Sequence, residues 1–513
     1  MFVNPVNIPR IIHPLLLNFQ GGIDPEAQAL YDRVIADGGI VPAGLSGMDT
    51  YIKAAKAARG ISTLSQGYLS LAHPHYTGIR LATGTGPTAG NRAARTVYNA
   101  LGSTGDFIQT AAANQPLALV HSGTNYVWLP GVAWNYFSTP SATANELTND
   151  FSFEAKIKPN ILTGVQVIIA KDGGAPGFRQ FQFRLNDALL QLVVDNGTQV
   201  GYNSTINVPF TANQTFFVRC SRVSSSGLVQ FFTSANGTTW TQLGANVTGI
   251  TGALSNPNRI VEIGSTATFV GLFQGEIFYV NTYKDSTFTT PTQIFNPANY
   301  NRATSQTSWT SSTGEVWTLN TPATNNALKA EIVDTTMIMG NGTSYGMQAA
   351  SLNINQNAIT SYTAFRKFVN TAGGQIITET GQDLGTYQGV YHVINAFAST
   401  EWIGVNGNVG LYINSFSSSS LNLKLATKIV NVNNANEASP YLINNSNLTL
   451  DSNLSSANNS SVSSIGYNVF ARNNASSAWA NVFLVSDCVV IDEDNSTQQT
   501  AMYNFFKTYI NGI

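Results

Sequence analysis

The sequence predicts a mainly β protein: two tandem antiparallel sandwiches, a short N-terminal helical segment and a C-terminal helix. Three observations carry this. Apolar and polar residues alternate with a period of two through most of residues 124–284. Turn signals recur between the alternating runs, at Asn186-Asp187, Asp195-Asn196-Gly197 and Asn236-Gly237. The chain has 513 residues, too many for one core, and its second half repeats the strand-and-turn pattern of the first.

The first elements are helical. Asp24 is a good N-cap and Pro25 suits the first helical position. Ala27, Leu30, Tyr31, Val34 and Ile35 share one face until Gly38-Gly39 ends the run. A second helix is expected to start near Ser46 with Asp49 as its capping partner, run through Tyr51, Ile52 and Ala55, and stop at Gly60. These helices are too short to form a core, so residues 1–71 are expected to be a docking element that the sandwiches do not need for folding. Residues 72–123 are expected to connect it to the first sandwich, at 124–284.

In that sandwich "FSFEAKI" sets Phe151, Phe153, Ala155 and Ile157 against Ser152, Glu154 and Lys156. "FRQFQFRL" likewise sets Phe181, Phe183 and Leu185 against Gln180, Gln182 and Arg184. "VQFFTSANGTTWTQLG" reads as two strands around an Asn236-Gly237 turn. Residues 285–330 are rich in Pro, Asn, Ser and Thr and read as a linker with a strand or two of its own. Residues 331–513 form the second sandwich, with strands such as "SYTAFRKF", "GVYHVINAF" and "AWANVFLVSDCVVID". The final helix opens on a Ser496/Gln499 capping box and aligns Met502, Phe505, Phe506 and Tyr509. "YVWLPGVAWNYF" and "MIMGNGTSYGM" each place a short apolar strand, a glycine turn and an aromatic before a long strand, as in a duplication.

Composition narrows the function. Charged residues are 10% of the chain, against roughly a quarter in ordinary globular proteins. With a net charge of -2 there is no basic patch to neutralise a phosphate backbone, so nucleic acid and membrane surfaces are disfavoured partners. The apolar stretch Ile11 to Phe19 contains His13 and Pro14 and follows no basic run; it reads as neither signal peptide nor membrane span. Cys220 and Cys488, far apart in strands, read as buried free thiols. Surface-type sandwiches without export signal or disulfides point to a virus particle protein, made in a cytoplasm and exposed after lysis.

The segments "FSFEAKIKP", "IIAKDGG", "FRQFQFRL", "TFFVRCSRVSSSGLVQFF", "RIVEIGS" and "FQGEIFYVNTY", in that order, resemble the laminin-G or concanavalin A-like jelly roll from Asn149 to Tyr283. "DPEAQALYDRVIADGG", "YNALGSTGDFIQTAAANQPLAL" and "VVIDEDNSTQQTAMYNFFKTYING" are similar to flanking segments in structural proteins of tailed or spiked bacteriophages, notably those of Bacteroidetes hosts. The resemblance implies a virion location as a spike, fibre or tail component. It also implies attachment to other virion proteins through the N-terminal segment, contact with host-surface glycan or receptor, and a homo-oligomer, a trimer for preference.

Catalysis is not expected. Jelly-roll hydrolases carry alternating carboxylates on one strand, and no such spacing occurs. Glu379 and Asp383 read as turn residues, and Asp492 to Asp494 as acids at a helix N-terminus. His73 and His75 flank Pro74 in a loop pattern without a nearby Cys or acid, so no metal centre is expected. The remaining chemistry is binding. Sugar-binding sandwiches use rim loops with Asp, Asn and Gly, often around calcium, and an aromatic that stacks on the sugar. The rim candidates are Asp172, Asp195, Asn196 and Trp240; no cofactor is expected, calcium being the one such rims would admit.

Overall fold

The structure is a computed structural model. It describes residues 22–82, 93–175, 177–322, 328–341, 344–349, 358–367, 375–383, 387–394, 401–405, 424–431, 441–443, 446–447, 467–470, 482–491 and 496–510. The Ile11–Phe19 stretch, the Ser/Asn-rich run at 451–464 and Asp492 to Asp494 lie outside these residues.

Four antiparallel sheets form two sandwiches. In the first, sheet I runs Thr241–Gln242, Leu228–Ser234, Phe216–Val223, Phe151–Pro159, Gln274–Tyr283, Tyr126–Pro130, Glu331–Val333. Facing it, sheet II runs Gln199–Asn203, Leu189–Asp195, Arg179–Asn186, Val165–Asp172, Val261–Ile263, Tyr136–Thr139, Val316–Asn320, Ser308–Thr310. The alternation expected from the sequence fills the space between them. Phe151, Phe153, Ala155 and Ile157 of sheet I meet Phe181, Phe183 and Leu185 of sheet II, all fully buried. The Phe153 ring lies 4.9 Å from Phe181 and 5.8 Å from Phe183. Each such phenylalanine contributes about 1.5–3 kcal/mol by leaving water.

The second sandwich repeats the first strand for strand. In sheet I the order Tyr126–Pro130, Gln274–Tyr283, Phe151–Pro159, Phe216–Val223 returns in sheet III as Met337–Met339, Val482–Ile491, Ala358–Lys367, Lys424–Asn431. In sheet II the order Tyr136–Thr139, Val261–Ile263, Val165–Asp172, Arg179–Asn186 returns in sheet IV as Met347–Ala349, Tyr467–Val469, Gln375–Asp383, Tyr387–Ile394. The fold is therefore a pair of jelly-roll sandwiches of one topology.

The structure differs from the expected boundaries in three places, each for a non-local reason. Residues 72–123 do not merely connect: Ala94–Val97 and Phe107–Ile108 extend sheet IV, and Leu117–Leu119 pairs with Met337–Met339 in sheet III. Just before them, Tyr68–Ala72 pairs with Val482–Ile491. The second sandwich thus takes strands from both sides of the first. Residues 285–330 are likewise no linker. Pro291–Phe295 extends sheet I, Val316–Asn320 extends sheet II, and Phe295, Trp309 and Trp317 sit in the first core. Glu379 and Asp383 lie within the strand Gln375–Asp383 and not on a turn.

The helices are also part of a core. Helix α1 (Pro25–Ala36) starts as expected, with the Asp24 carboxylate accepting from the Glu26 amide at 2.9 Å. Ile35 falls off its buried face and is largely exposed. Helix α2 (Gly44–Arg59) begins before Ser46 without a side-chain cap. Asp49 instead accepts from the Asp24 amide at 2.7 Å and pairs with Lys53 at 2.8 Å. Gly60, at φ 65°, ends it in the left-handed region that glycine tolerates.

Together with α3 (Ser496–Tyr509), these helices cover Tyr362, Ala364, Cys488 and Val490 on the outward face of sheet III. Tyr51 of α2 is fully buried, 5.1 Å from Phe505 and 5.0 Å from Tyr509 of α3, and stacks on Tyr76 at 4.8 Å. The expected independent docking element is thus packed into the second sandwich. Tyr126, Trp128 and Phe278, on the outward face of sheet I, join the same cluster. The outward face of sheet II contributes nothing to it.

Candidate functional site

Sheet II turns polar side chains outward where an ordinary sheet would be simply solvated. Four neighbouring strands supply a continuous hydrogen-bonded row. Arg179 Nη2 lies 2.8 Å from Asp172 Oδ2, which also accepts from Gln182 Nε2. Gln182 Oε1 accepts from Arg184 Nη1. Arg184 Nε donates to Gln191 Oε1 at 2.6 Å, and Gln191 Nε2 donates to Asn203 Oδ1 at 2.6 Å. Each member holds the next in one orientation, as a preorganised recognition surface requires.

Glu262 stands one strand to the side. It registers with Ala170, two residues before Asp172, and with Ser138 on its other flank. The segment from Gly264 to Gly271 explains its burial. Both ends are tied to Val167 and Ile168, by Gly264 N to Ile168 O at 3.2 Å and Val167 N to Gly271 O at 2.7 Å. Between them the segment reaches along the strand until Thr268 Cγ2 would stand 2.3 Å from a Cβ placed at Gly174. Under this roof Glu262 is 1% exposed and its Oε2 has no hydrogen-bond partner among the described residues. Burial, and secondarily the Asp172 charge, push its carboxyl up to about 8. This favours its protonated form at neutral pH.

An aromatic cluster adjoins Glu262. Tyr136, two residues from Ser138 on the same face, is raised by burial and by the Glu262 charge. The Phe269 ring lies 6.1 Å from Tyr136 and 4.1 Å from Trp134. Trp134 is 55% exposed, a large apolar surface to leave in water. Its φ is 69° and that of Phe269 is 55°, a left-handed backbone that bulky side chains avoid. Asn135 anchors the Trp134 loop, donating to Leu328 O at 3.0 Å and accepting from Ala330 N at 2.6 Å.

The four residues expected from the sequence divide. Asp172 and Asp195 come to the same end of sheet II, either side of the 173–178 loop, and Asn196 is exposed beside them. Asp172 Oδ1 accepts from Gly174 N at 2.7 Å. Asp195 Oδ1 and Oδ2 accept from Gly197 N at 2.6 Å and Gly177 N at 2.9 Å. Three of the four carboxylate oxygens thus cap turns, and the fourth, Asp172 Oδ2, is held by Gln182 and by the Arg179 guanidinium, which stands where a cation would neutralise it. This oxygen set does not fit calcium, which needs six to eight free oxygen ligands; no metal-holding group of three or more His, Cys, Asp or Glu occurs among the described residues. Trp240 is on the other sheet, its face taken by Arg219, whose guanidinium lies 3.9 Å from the Trp240 ring and 4.4 Å from Phe288. Sequence reasoning did not single out Glu262, Trp134 or Phe269. For Glu262 the available signal was a lone acid alternating with Val261 and Ile263 in "RIVEIGS".

No protein-family model matches this chain, and no curated protein matches it in sequence. Solved structures resemble it in fold. The mouse laminin alpha1 chain, domains LG4-5, is 8% identical, covering 72% of this chain and 87% of its own, with a TM-score of 0.29. A putative carbohydrate binding protein from Bacteroides ovatus is 12% identical over 47% of this chain and 68% of its own, at a TM-score of 0.31. A heptameric SAP-like pentraxin from Limulus polyphemus is 15% identical over 33% and 79%, at 0.25.

Proposed function

We propose that this chain is a non-catalytic glycan-binding protein whose ligand lies across the outward face of sheet II. The observation that carries this reading is the junction of the exposed Trp134–Phe269 pair with the row from Glu262 to Gln191. Sugars present C–H faces that stack on aromatic rings and hydroxyl edges that need fixed amide, carboxyl and guanidinium partners. Here both lie on one surface. Cleavage of the glycan is disfavoured by Asp172. Its two oxygens accept from Gly174, Arg179 and Gln182 and are thereby engaged within the protein.

The setting we propose is the surface of a bacteriophage particle. The resemblance of the chain's flanks to phage structural proteins supports this, as does a fold that repeats one sandwich twice. A trimer would present the face several times and raise avidity. Electrophoresis of the protein through gels containing host capsular polysaccharide tests the binding: retardation that Trp134→Gly abolishes is the expected result, and unretarded wild-type protein in every host polysaccharide overturns it. Release of reducing ends would favour an enzyme instead.

A further inference from the structure

We infer that the glycan held by this face is acidic, and that a sugar carboxylate docks on the Arg179 guanidinium. The inference rests on the glycan-binding reading and narrows it. Arg179 is 7% exposed, yet it spends only Nη2 on Asp172; its Nε and Nη1 have no partner among the described residues. A guanidinium carries five N–H donors in a planar fork matched to carboxylate, and a buried one with most donors unfilled costs free energy until an acceptor arrives. The unpartnered Glu262 Oε2 belongs to the same face.

The charges around the site agree. Burial, and after it the nearby Arg179 charge, lower the pKa of Arg184. A third guanidinium, Arg259, is at the mouth, 5.5 Å from the Phe178 ring, and Phe178 is itself largely exposed. Against these three cations stand Asp172 and Asp195. The groups facing Glu262 are Asp172 from one neighbouring strand, Tyr136 from the other, and Arg179 and Arg184 beyond Asp172; the roofing segment 265–270 has no titratable residue. A neutral Glu262 leaves the face with net positive charge. When pH rises through about 8 Glu262 ionises beside Asp172, and the face repels what it held.

Calorimetric titration of the full chain separates the outcomes. The probes are hyaluronan oligosaccharides (a uronic acid), oligosialic acid (a nonulosonic acid), and carboxyl-reduced, neutral forms of both. The expected result is binding of one acidic probe, at least tenfold weaker binding of its reduced form, and weakening from pH 7 to pH 9 that Glu262→Gln removes. Arg179→Lys, with its fold checked by circular dichroism, keeps the charge and loses the fork; it should weaken the acidic probe alone. Equal binding of acidic and reduced probes, abolished in both by Trp134→Gly, overturns the acidic inference and leaves the glycan face standing. Absence of binding to all four probes overturns the acidic inference too, and retardation by a neutral capsular polysaccharide in the gel assay then tells whether the broader reading survives.

Discussion

Glu262 and Asp172 are two acids on adjacent strands of one sheet face, one without a partner for its Oε2 among the described residues and the other held at its Oδ2 by Arg179 and Gln182. The asymmetry makes folding pH-dependent. An unfolded Glu262 ionises near 4.5 and the folded one only near 8. Its contribution is therefore most favourable below about 4.5 and declines as pH rises toward 8. Glu262→Gln should remove this slope and raise stability at pH 7 by up to about 3 kcal/mol. Urea melts of both proteins at pH 5, 7 and 8.5 check it; parallel pH profiles would show that Glu262 is ionised in the fold.

Trp134 holds a left-handed backbone that glycine would adopt without strain. Trp134→Gly should therefore leave the melting temperature unchanged or raise it, by about 1 kcal/mol of relieved strain, while binding is lost. Scanning calorimetry beside a binding assay checks this. A large destabilisation would show that Trp134 is held for packing.

The N-terminal helices are expected to be inseparable from the second sandwich. Tyr51→Ala removes a fully buried ring from between α2, α3 and Tyr76 and should cost about 3–5 kcal/mol. Deleting residues 22–60 should expose the sheet III face and give aggregated protein. Soluble, β-rich deletion product would restore the independent docking element that the sequence leads one to expect.

The two sandwiches are joined by buried charge. Arg302 Nη2 lies 2.7 Å from Asp334 and 3.4 Å from Glu331, and Glu331 also pairs with Arg366 of the second sandwich. Glu331 is fully buried, so Glu331→Ala leaves two guanidinium groups facing each other and should cost about 3–5 kcal/mol. Calorimetry should show one transition for the wild-type protein and two for Glu331→Ala. An unchanged single transition would mean that apolar packing alone couples the modules.

What the sequence made legible is what local chemistry controls. The alternation of Phe181, Phe183 and Leu185 with Gln182 and Arg184 is the observed division between core and polar face. The turn expected at Asn186-Asp187 falls one residue on, at Asp187 and Ala188 with φ 47° and 66°, because Asn186 still pairs with Leu189. The Asn236-Gly237 turn is a longer connection than a two-residue hairpin, because Asn236 Oδ1 accepts from the amides of Thr238 and Thr239 and carries the chain onward. Pairings such as Leu71 with Cys488 join residues hundreds of positions apart, and no local pattern encodes them. Trp134 and Phe269 escaped because left-handed positions are read from Gly and Asn, and these two are held there by anchors elsewhere, such as Asn135 on Leu328 and Ala330.

Hydrogen–deuterium exchange with and without a bound polysaccharide tests most directly that the ligand lies on the outward face of sheet II. The predicted result is slowed exchange in three segments, 131–136, 173–178 and 264–271, which carry Trp134, Phe178 and Phe269 around Glu262. Slowing confined to 236–242 and 286–289, around Trp240 and Phe288 on the opposite sheet, would contradict it.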